Sequence, residues 1–221
     1  MSELRIENVN YRYKNAPRLA LSSVSCVFQP GTVSAVVGPS GSGKTTLLSI
    51  MAGLDRPESG KVLLDGGDLA GMDLDAYRRK DVSVIFQAFQ LFPLLTVMEN
   101  VCYPMELSGV STKSARERAK ALLESVGIGE EKFRRFPANL SGGEQQRVAI
   151  ARSLATGAGV LLADEPTGNL DGENSRNVVE LLTRLAHEEG YCVIIVTHDP
   201  AIAEASDLVF RMADGVLEQS A

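Results

Sequence analysis

Short runs of β-branched and large apolar residues recur along the chain, separated by turn residues and by longer stretches with helical patterning. Leu4 to Val9 and Ala20 to Phe28 alternate only in part, and a Gln29-Pro30-Gly31 turn follows the second, which predicts an antiparallel sheet at the start. Thr32 to Val37 is rich in β-branched residues. It ends in a glycine-rich loop that passes straight into a helical stretch, Lys44 to Ala52, stopped by Gly53. Val82 to Phe86, Val160 to Ala163 and Cys192 to Val196 are too short and too continuously apolar for amphipathic helices, and predict central parallel strands covered on both faces.

Between Gln87 and Ala155 the pattern becomes helical, and two helices declare their starts with capping boxes, Thr96-Val-Met-Glu99 and Ser141-Gly-Gly-Glu144. This predicts a helical insertion, about 87–155, into an α/β core built from about 1–86 and 156–221. The chain closes with Asp207-Leu-Val-Phe-Arg-Met212, an Ala213-Asp-Gly215 turn and Val216-Leu-Glu218. Internal repeats, low-complexity tracts and long linkers are missing, so the expectation is one domain over 1–221.

Composition narrows the function classes. A chain of 221 residues that is 44% hydrophobic can build an ordinary core without staples. Cys26, Cys102 and Cys192 are odd in number and outside any C-x-x-C spacing, which speaks against a disulfide framework or a zinc site. With 22 Lys plus Arg against 28 Asp plus Glu, the formal charge of -6 disfavours nucleic acid as the main ligand. No run approaches the ~18 apolar residues of a membrane span, and Met1-Ser-Glu-Leu-Arg-Ile-Glu lacks a signal-peptide layout. The expected location is cytoplasmic, so a membrane task requires docking onto another polypeptide.

Gly38-Pro-Ser-Gly-Ser-Gly43-Lys44-Thr45 fits G-x-x-x-x-G-K-[ST], placed between a predicted strand and a predicted helix, where the motif has meaning. Curled around its glycines, such a loop turns the backbone N–H groups of Gly38, Ser40, Gly41, Ser42 and Gly43 inward. The helix start at Lys44, Thr45 and Thr46 adds partial positive charge. Lys44 then reaches the β- and γ-phosphates of a bound triphosphate, and the Thr45 hydroxyl ligates Mg²⁺. Val160-Leu-Leu-Ala-Asp164-Glu165 brings two carboxylates to a strand's C-terminal end, where open α/β sheets keep their ligands. Asp164 is the candidate Mg²⁺ ligand and Glu165 the general base, a role worth about 10²–10⁴ in rate.

Leu140-Ser141-Gly142-Gly143-Glu144-Gln145-Gln146-Arg147 resembles the signature of the ABC family of ATPases. A serine and two glycines at a capped helix start offer a hydroxyl, free N–H groups and the positive dipole end, which make a second anion site. The resemblance implies that Ser141, Gly142 and Gly143 serve the nucleotide of a second copy, in a head-to-tail dimer with two ATP molecules sandwiched inside. It also implies a P-loop NTPase core, an N-terminal antiparallel β-subdomain and the inserted helical subdomain. Tyr13 looks like the aromatic that stacks on adenine, with Tyr11, two residues away on the same strand face, as the alternative. Gln87 resembles the glutamine that joins the Mg²⁺ and water site to the insertion. Asn169-Leu170-Asp171 resembles the loop that touches the partner, and His198 the histidine at the γ-phosphate. His187, among charges on a predicted helix, is assigned a structural role.

Phe86-Gln87-Ala-Phe89-Gln-Leu-Phe-Pro93-Leu-Leu-Thr96-Val-Met-Glu99-Asn100-Val101 and Ala163-Asp-Glu-Pro-Thr-Gly-Asn-Leu-Asp171 are similar to the subgroup of lipoprotein-releasing, macrolide-exporting and antimicrobial-peptide-resistance ATPases. Two departures from that subgroup are Ala138-Asn139 ahead of the signature and Glu144 within it. The resemblance implies an ATP-hydrolysing subunit that works with separate membrane-spanning subunits in export or extraction. A family member acting on DNA or ribosomes would show a coiled-coil insertion, cysteine-paired zinc modules or two cassettes, and none is present. A mechanical signalling subunit that moves no solute stays open on sequence grounds.

Overall fold

The structure, a computed structural model, describes residues 2–220; Met1 and Ala221, the ends of the expected domain, lie outside the described residues. Strands β1 (Leu4–Tyr11) and β2 (Leu21–Phe28) precede β3 (Val33–Val37), which leads into helix α1 (Lys44–Met51). Next come β4 (Ser59–Leu64), β5 (Gly67–Asp68), α2 (Leu74–Lys80) and β6 (Val82–Phe86). Three helices follow, α3 (Val97–Leu107), α4 (Thr112–Ser125) and α5 (Gly142–Leu154). The remainder is β7 (Val160–Asp164), α6 (Gly172–Glu189), β8 (Cys192–Thr197), α7 (Pro200–Glu204), β9 (Leu208–Ala213) and β10 (Val216–Gln219).

One sheet, in the order β2-β1-β4-β5, is antiparallel throughout. The other runs β10-β9-β3-β8-β7-β6, and its strands from β9 to β6 are parallel, with β10 turned back along β9. Both faces of the parallel sheet are covered, which is why β3, β7 and β8 are apolar at almost every position. Val33, Leu161, Ala163, Val193 and Ile195 face a core shared with α3 to α6. Val36, Val160, Leu162, Ile194 and Val196 face the other, shared with α1 and the antiparallel sheet.

The incomplete alternation of the first two strands has a structural cause. In β1 the buried side chains Leu4 and Ile6 are followed by Val9, and the register against β2 shifts between Ile6 and Val9. Asn8 sits there at φ 48 and takes up the extra residue of a bulge; in β2, Ser23 at φ 49 does the same between Leu21 and Val24. A bulge moves the buried set to the opposite parity, so each strand contains two short alternating runs out of phase.

Helices α3, α4 and α5 pack on one another, and α5 also reaches β6 and α6. Both expected capping boxes form. The three cysteines are buried and free, and burial pushes Cys26 and Cys192 up to about 12. Among the described residues no helix is long and apolar enough to cross a membrane. His187 Nε2 lies 2.9 Å from Asp207 Oδ2, which also accepts a 2.7 Å bond from the Val33 N–H, so this histidine ties α6 to the strand β3. Burial raises the Asp207 pKa, but the Val33 N–H and His187 outweigh it and hold the carboxyl below its usual range.

The stretch from Gln87 to Thr96 belongs to no helix or strand, so side chains must satisfy its backbone. Asn100, fully buried, does much of this. Its Oδ1 accepts from the Phe92 N–H at 2.8 Å, and its Nδ2 donates to the carbonyls of Phe92, Leu95 and Thr96 at 3.0–3.1 Å. Replacing Asn100 by Ala strips the Phe92 N–H and the Leu95 carbonyl of their partners, while the carbonyls of Phe92 and Thr96 keep the N–H groups of Leu95 and of position 100. Urea unfolding should show a loss of about 2–4 kcal/mol, with hydrogen bonds near 1 kcal/mol each plus the cost of stranded polar groups. A loss below about 0.5 kcal/mol would contradict this account of the loop.

Candidate functional site

The register of the parallel sheet aligns the candidate residues. Val37 of β3 is opposite Thr197 of β8, Val196 is opposite Asp164 of β7, and Asp164 is opposite Phe86 of β6. Gly38, His198, Glu165 and Gln87, each at or just past a strand's end, therefore emerge along one carboxyl edge, the place where such sheets hold ligands. A cleft of about 840 Å³ opens at that edge, lined by Tyr13, Arg18, the loop around Ser40 and Gly41, Lys44 to Thr46, Asp164, Glu165 and His198.

The loop needs its glycines. A Cβ on Gly38 would stand 2.1 Å from the Met212 carbonyl oxygen, and Gly43, at φ 111, would bring one within 2.6 Å of the Ala20 oxygen. No side chain caps α1, so its first-turn N–H groups remain available to an anion in the loop. Ser42 is buried just ahead of them. Lys44 curls back so that Nζ donates to the carbonyls of Gly38 (2.7 Å) and Pro39 (3.0 Å). Its charge is held at the mouth of the loop by weak acceptors that a phosphate can replace.

Of the two tyrosines, Tyr13 lines the cleft, with its hydroxyl 2.8 Å from Thr46 Oγ1. Tyr11 packs against the core and meets the Tyr13 ring edge-on at 5.1 Å. Because β1 ends at Tyr11, the two do not share a strand face as the sequence suggests.

Asp164 is half-buried, and its pKa is raised by burial and then by the charge of Glu165, with Lys44 opposing. A carboxylate so placed favours a cation beside it. Thr45 lines the same cleft. Among the described residues no group of three or more His, Cys, Asp or Glu could hold a metal, so an ion between Thr45 and Asp164 would depend on oxygens from a bound ligand. Glu165 stands at φ 47, in the left-handed region, which re-aims its side chain at the end of the strand. Its Oε2 accepts from Thr197 Oγ1 at 2.9 Å and its Oε1 lies 2.7 Å from His198 Nδ1. Thr197, unremarkable in the sequence as the end of an apolar strand, is thus part of the site.

The remaining candidates lie elsewhere. Gln87 is not among the residues lining the cleft; it pairs with Asn169, whose Nδ2 donates to the Gln87 carbonyl at 2.9 Å while Gln87 Nε2 reaches Asn169 Oδ1 at 3.4 Å. Ser141, Gly142, Gly143 and Asp171 also stand outside the cleft lining. At the start of α5, Ser141 Oγ accepts from the Glu144 N–H and Ser141 N donates to Glu144 Oε2. Glu144 also meets Lys132 Nζ at 2.7 Å, and that bond, with the Ser141 N–H, holds its carboxyl below the usual range. Asp171 caps α6 by accepting from the Asn174 N–H at 2.8 Å and from its Nδ2 at 2.9 Å.

The family model described as ABC transporter matches residues 21–168. An uncharacterized ABC transporter ATP-binding protein of Bacillus subtilis (strain 168), YclH, is 42% identical over 215 residues, covering 97% of this chain and 95% of the relative. The macrolide export ATP-binding/permease protein MacB of Syntrophobacter fumaroxidans is 43% identical over 98% of this chain, which spans 31% of that longer protein. The dimeric structure of MJ0796, a bacterial ABC transporter cassette, superposes with a TM-score of 0.87 at 37% identity, covering 97% of this chain and 96% of that one. Its post-hydrolysis dimer bound to ADP and Pi gives 0.87 at 36% identity, covering 98% of both chains.

The two glycines of α5 differ sharply in surroundings. A Cβ on Gly142 meets its nearest atom, Leu170 Cδ2, at 3.4 Å, whereas one on Gly143 would stand 2.1 Å from Asn174 Oδ1. Gly143→Ala should therefore displace Asn174 from Asp171 and cost about 1–3 kcal/mol by thermal or urea unfolding. Gly142→Ala should stay within about 0.5 kcal/mol of the parent. Equal stability of the two variants would refute the contact.

Proposed function

This chain belongs to the ABC transporter family of ATP-binding proteins, and on that premise we propose that it is a Mg²⁺-dependent ATPase subunit that powers export or membrane extraction through separate membrane-spanning subunits. It would sit on the cytoplasmic face of the membrane through those subunits. The observation that carries the reading is the division of the site: one carboxyl edge gathers the loop, Lys44, Asp164, Glu165 and His198 into a cleft, while Ser141 to Gly143 stand outside it. A second copy turned head to tail supplies the missing anion site. The family relationship to a macrolide export protein supports the direction of transport.

In this mechanism the N–H groups from Gly38 to Gly43 and the start of α1, through Thr46, bind the phosphates of ATP. Lys44 exchanges the Gly38 and Pro39 carbonyls for the β- and γ-phosphates. Thr45 and Asp164 would hold Mg²⁺, with Gln87 completing the site as the dimer closes; bound there, the ion would neutralise phosphate charge. Tyr13 offers its exposed ring to the adenine. Glu165 takes the proton of the attacking water, its carboxylate oriented by Thr197 and His198, and His198 extends toward the γ-phosphate. Asp171 and the Ser141 to Gly143 segment complete the partner's site. The helical region from 87 to about 155 is the arm that carries this closure to the membrane subunits.

Glu165→Gln keeps the size of the side chain and removes the base. It should bind ATP, lose about 10²–10⁴ in turnover, and accumulate as an ATP-bound dimer that size-exclusion chromatography separates from monomer. Hydrolysis within a few-fold of the parent, or a monomer at saturating ATP and Mg²⁺, would overturn the mechanism.

A further inference from the structure

The loop that follows β6 contains two successive non-glycine residues in the left-handed region, Phe89 at φ 55 and Gln90 at φ 49. The Gln90 N–H closes back onto the Ala88 carbonyl at 2.5 Å, a three-residue turn that is strained when its central φ is positive. Such a conformation persists only where its surroundings over-determine it. The restraint comes from Arg152, in the last turn of α5. Its Nη1 donates to the Gln90 carbonyl at 2.6 Å and its Nη2 to the Phe89 carbonyl at 3.1 Å, and its guanidinium lies 5.6 Å from the Phe92 ring centre.

Arg152 has no carboxylate within 4 Å among the described residues. Partial burial lowers its pKa, as for a cation partly withdrawn from water without a counter-ion. An arginine of this kind is costly as a mere stabiliser. Its planar fork, however, matches two adjacent carbonyls in a way that no other side chain can. The same loop is gripped at its start by Asn169 on the Gln87 carbonyl and at its far end by Asn100 on Phe92.

We propose that Arg152 is a positioning residue for ATP hydrolysis: by bridging the Phe89 and Gln90 carbonyls it locks the loop that carries Gln87 to α5, so that Gln87 and the helix bearing Ser141 to Gly143 move as one body. The catalytic part of this rests on the role proposed for Gln87; the clamp itself does not. Lysine at 152 keeps the charge and much of the packing but offers a single ammonium in place of the fork, and glutamine removes the charge as well.

The test uses the full chain as Arg152→Lys, Arg152→Gln, Gln87→Ala and the double variant Arg152→Lys with Gln87→Ala. Amide exchange of Phe89, Gln90 and Phe92 should rise about tenfold or more in both Arg152 variants, while amides of the β7 and β8 core keep their protection. Steady-state ATPase assays should show kcat reduced about tenfold with KM for ATP within about twofold. The double variant should be no slower than Gln87→Ala alone, since a residue acting through Gln87 has nothing left to act on. If Arg152→Gln does not fold, Arg152→Lys carries the same readouts. Unchanged exchange in the loop overturns the proposal whatever the ATPase does. Multiplied losses in the double variant overturn the route through Gln87. A Gln87→Ala variant with the parent's kcat would refute the role of Gln87, and the exchange result would then decide the clamp alone.

Discussion

A parallel sheet buried on both faces cannot slip by a residue without exchanging side chains of different size and shape between two packed cores at once, and this constraint fixes the layout of the strand ends. Val160, Leu162, Ile194 and Val196 pack toward α1 and the antiparallel sheet, while Leu161, Ala163, Val193 and Ile195 pack toward α5 and α6. With that register locked, the strand ends cannot move relative to one another. The positions that follow them on the central strands, Gly38, Glu165 and His198, are held in a row by packing that none of them contributes to, while Gln87, past the edge strand β6, opens the loop that Arg152 ties to α5.

The edge itself is assembled from groups that are poorly satisfied without a ligand. Lys44 leans on two carbonyls, Asp164 carries a raised pKa beside Glu165, and the first N–H groups of α1 have no cap. Glu165 adds backbone strain at φ 47. A triphosphate with its cation would relieve most of these at once, which links ligand binding to the stability of the edge. By contrast, the start of α5 is well satisfied within the chain, through the Ser141 and Glu144 capping box and Lys132. Glu144, a departure from the subgroup pattern, therefore has a structural task in the helix start.

Much of this was legible in the sequence because the central strands are continuously apolar and short. Val82–Phe86 is found as expected, and β7 and β8 run only one residue further than their apolar runs. The loop and helix after β3 declared themselves through glycine spacing, and α3 and α5 through capping residues. Other elements left weaker traces. β4 opens on exposed Ser59, Gly60 and Lys61 and buries only Val62 and Leu64, and α2 buries only Tyr77. The bulges at Asn8 and Ser23 blurred the alternation of β1 and β2, and the end of β1 at Tyr11 undid the argument that Tyr11 and Tyr13 share a face. Contacts between distant segments, such as Thr197 on Glu165 or Asn169 on Gln87, are set by tertiary placement and have no local pattern to read.

Helix α5 joins these observations. Its 13 residues form a rod of about 20 Å. At one end Gly143 lies against Asn174, which holds Asp171; at the other Arg152 holds Phe89 and Gln90. A helix is stiff along its axis, so a displacement imposed at the glycine end must appear at the arginine end, unless the fork gives way first. The loop beyond Arg152 exposes Phe92 and Leu94 to solvent while its opening residue, Gln87, stands at the carboxyl edge of the parallel sheet. The carboxyl edge of the sheet and an exposed apolar surface thereby lie at opposite ends of one stiff loop, and that loop is tied to one stiff helix. Flexible side-chain contacts in the same places would let each end relax independently, and the strain stored at Phe89 and Gln90 is the structural cost of preventing it.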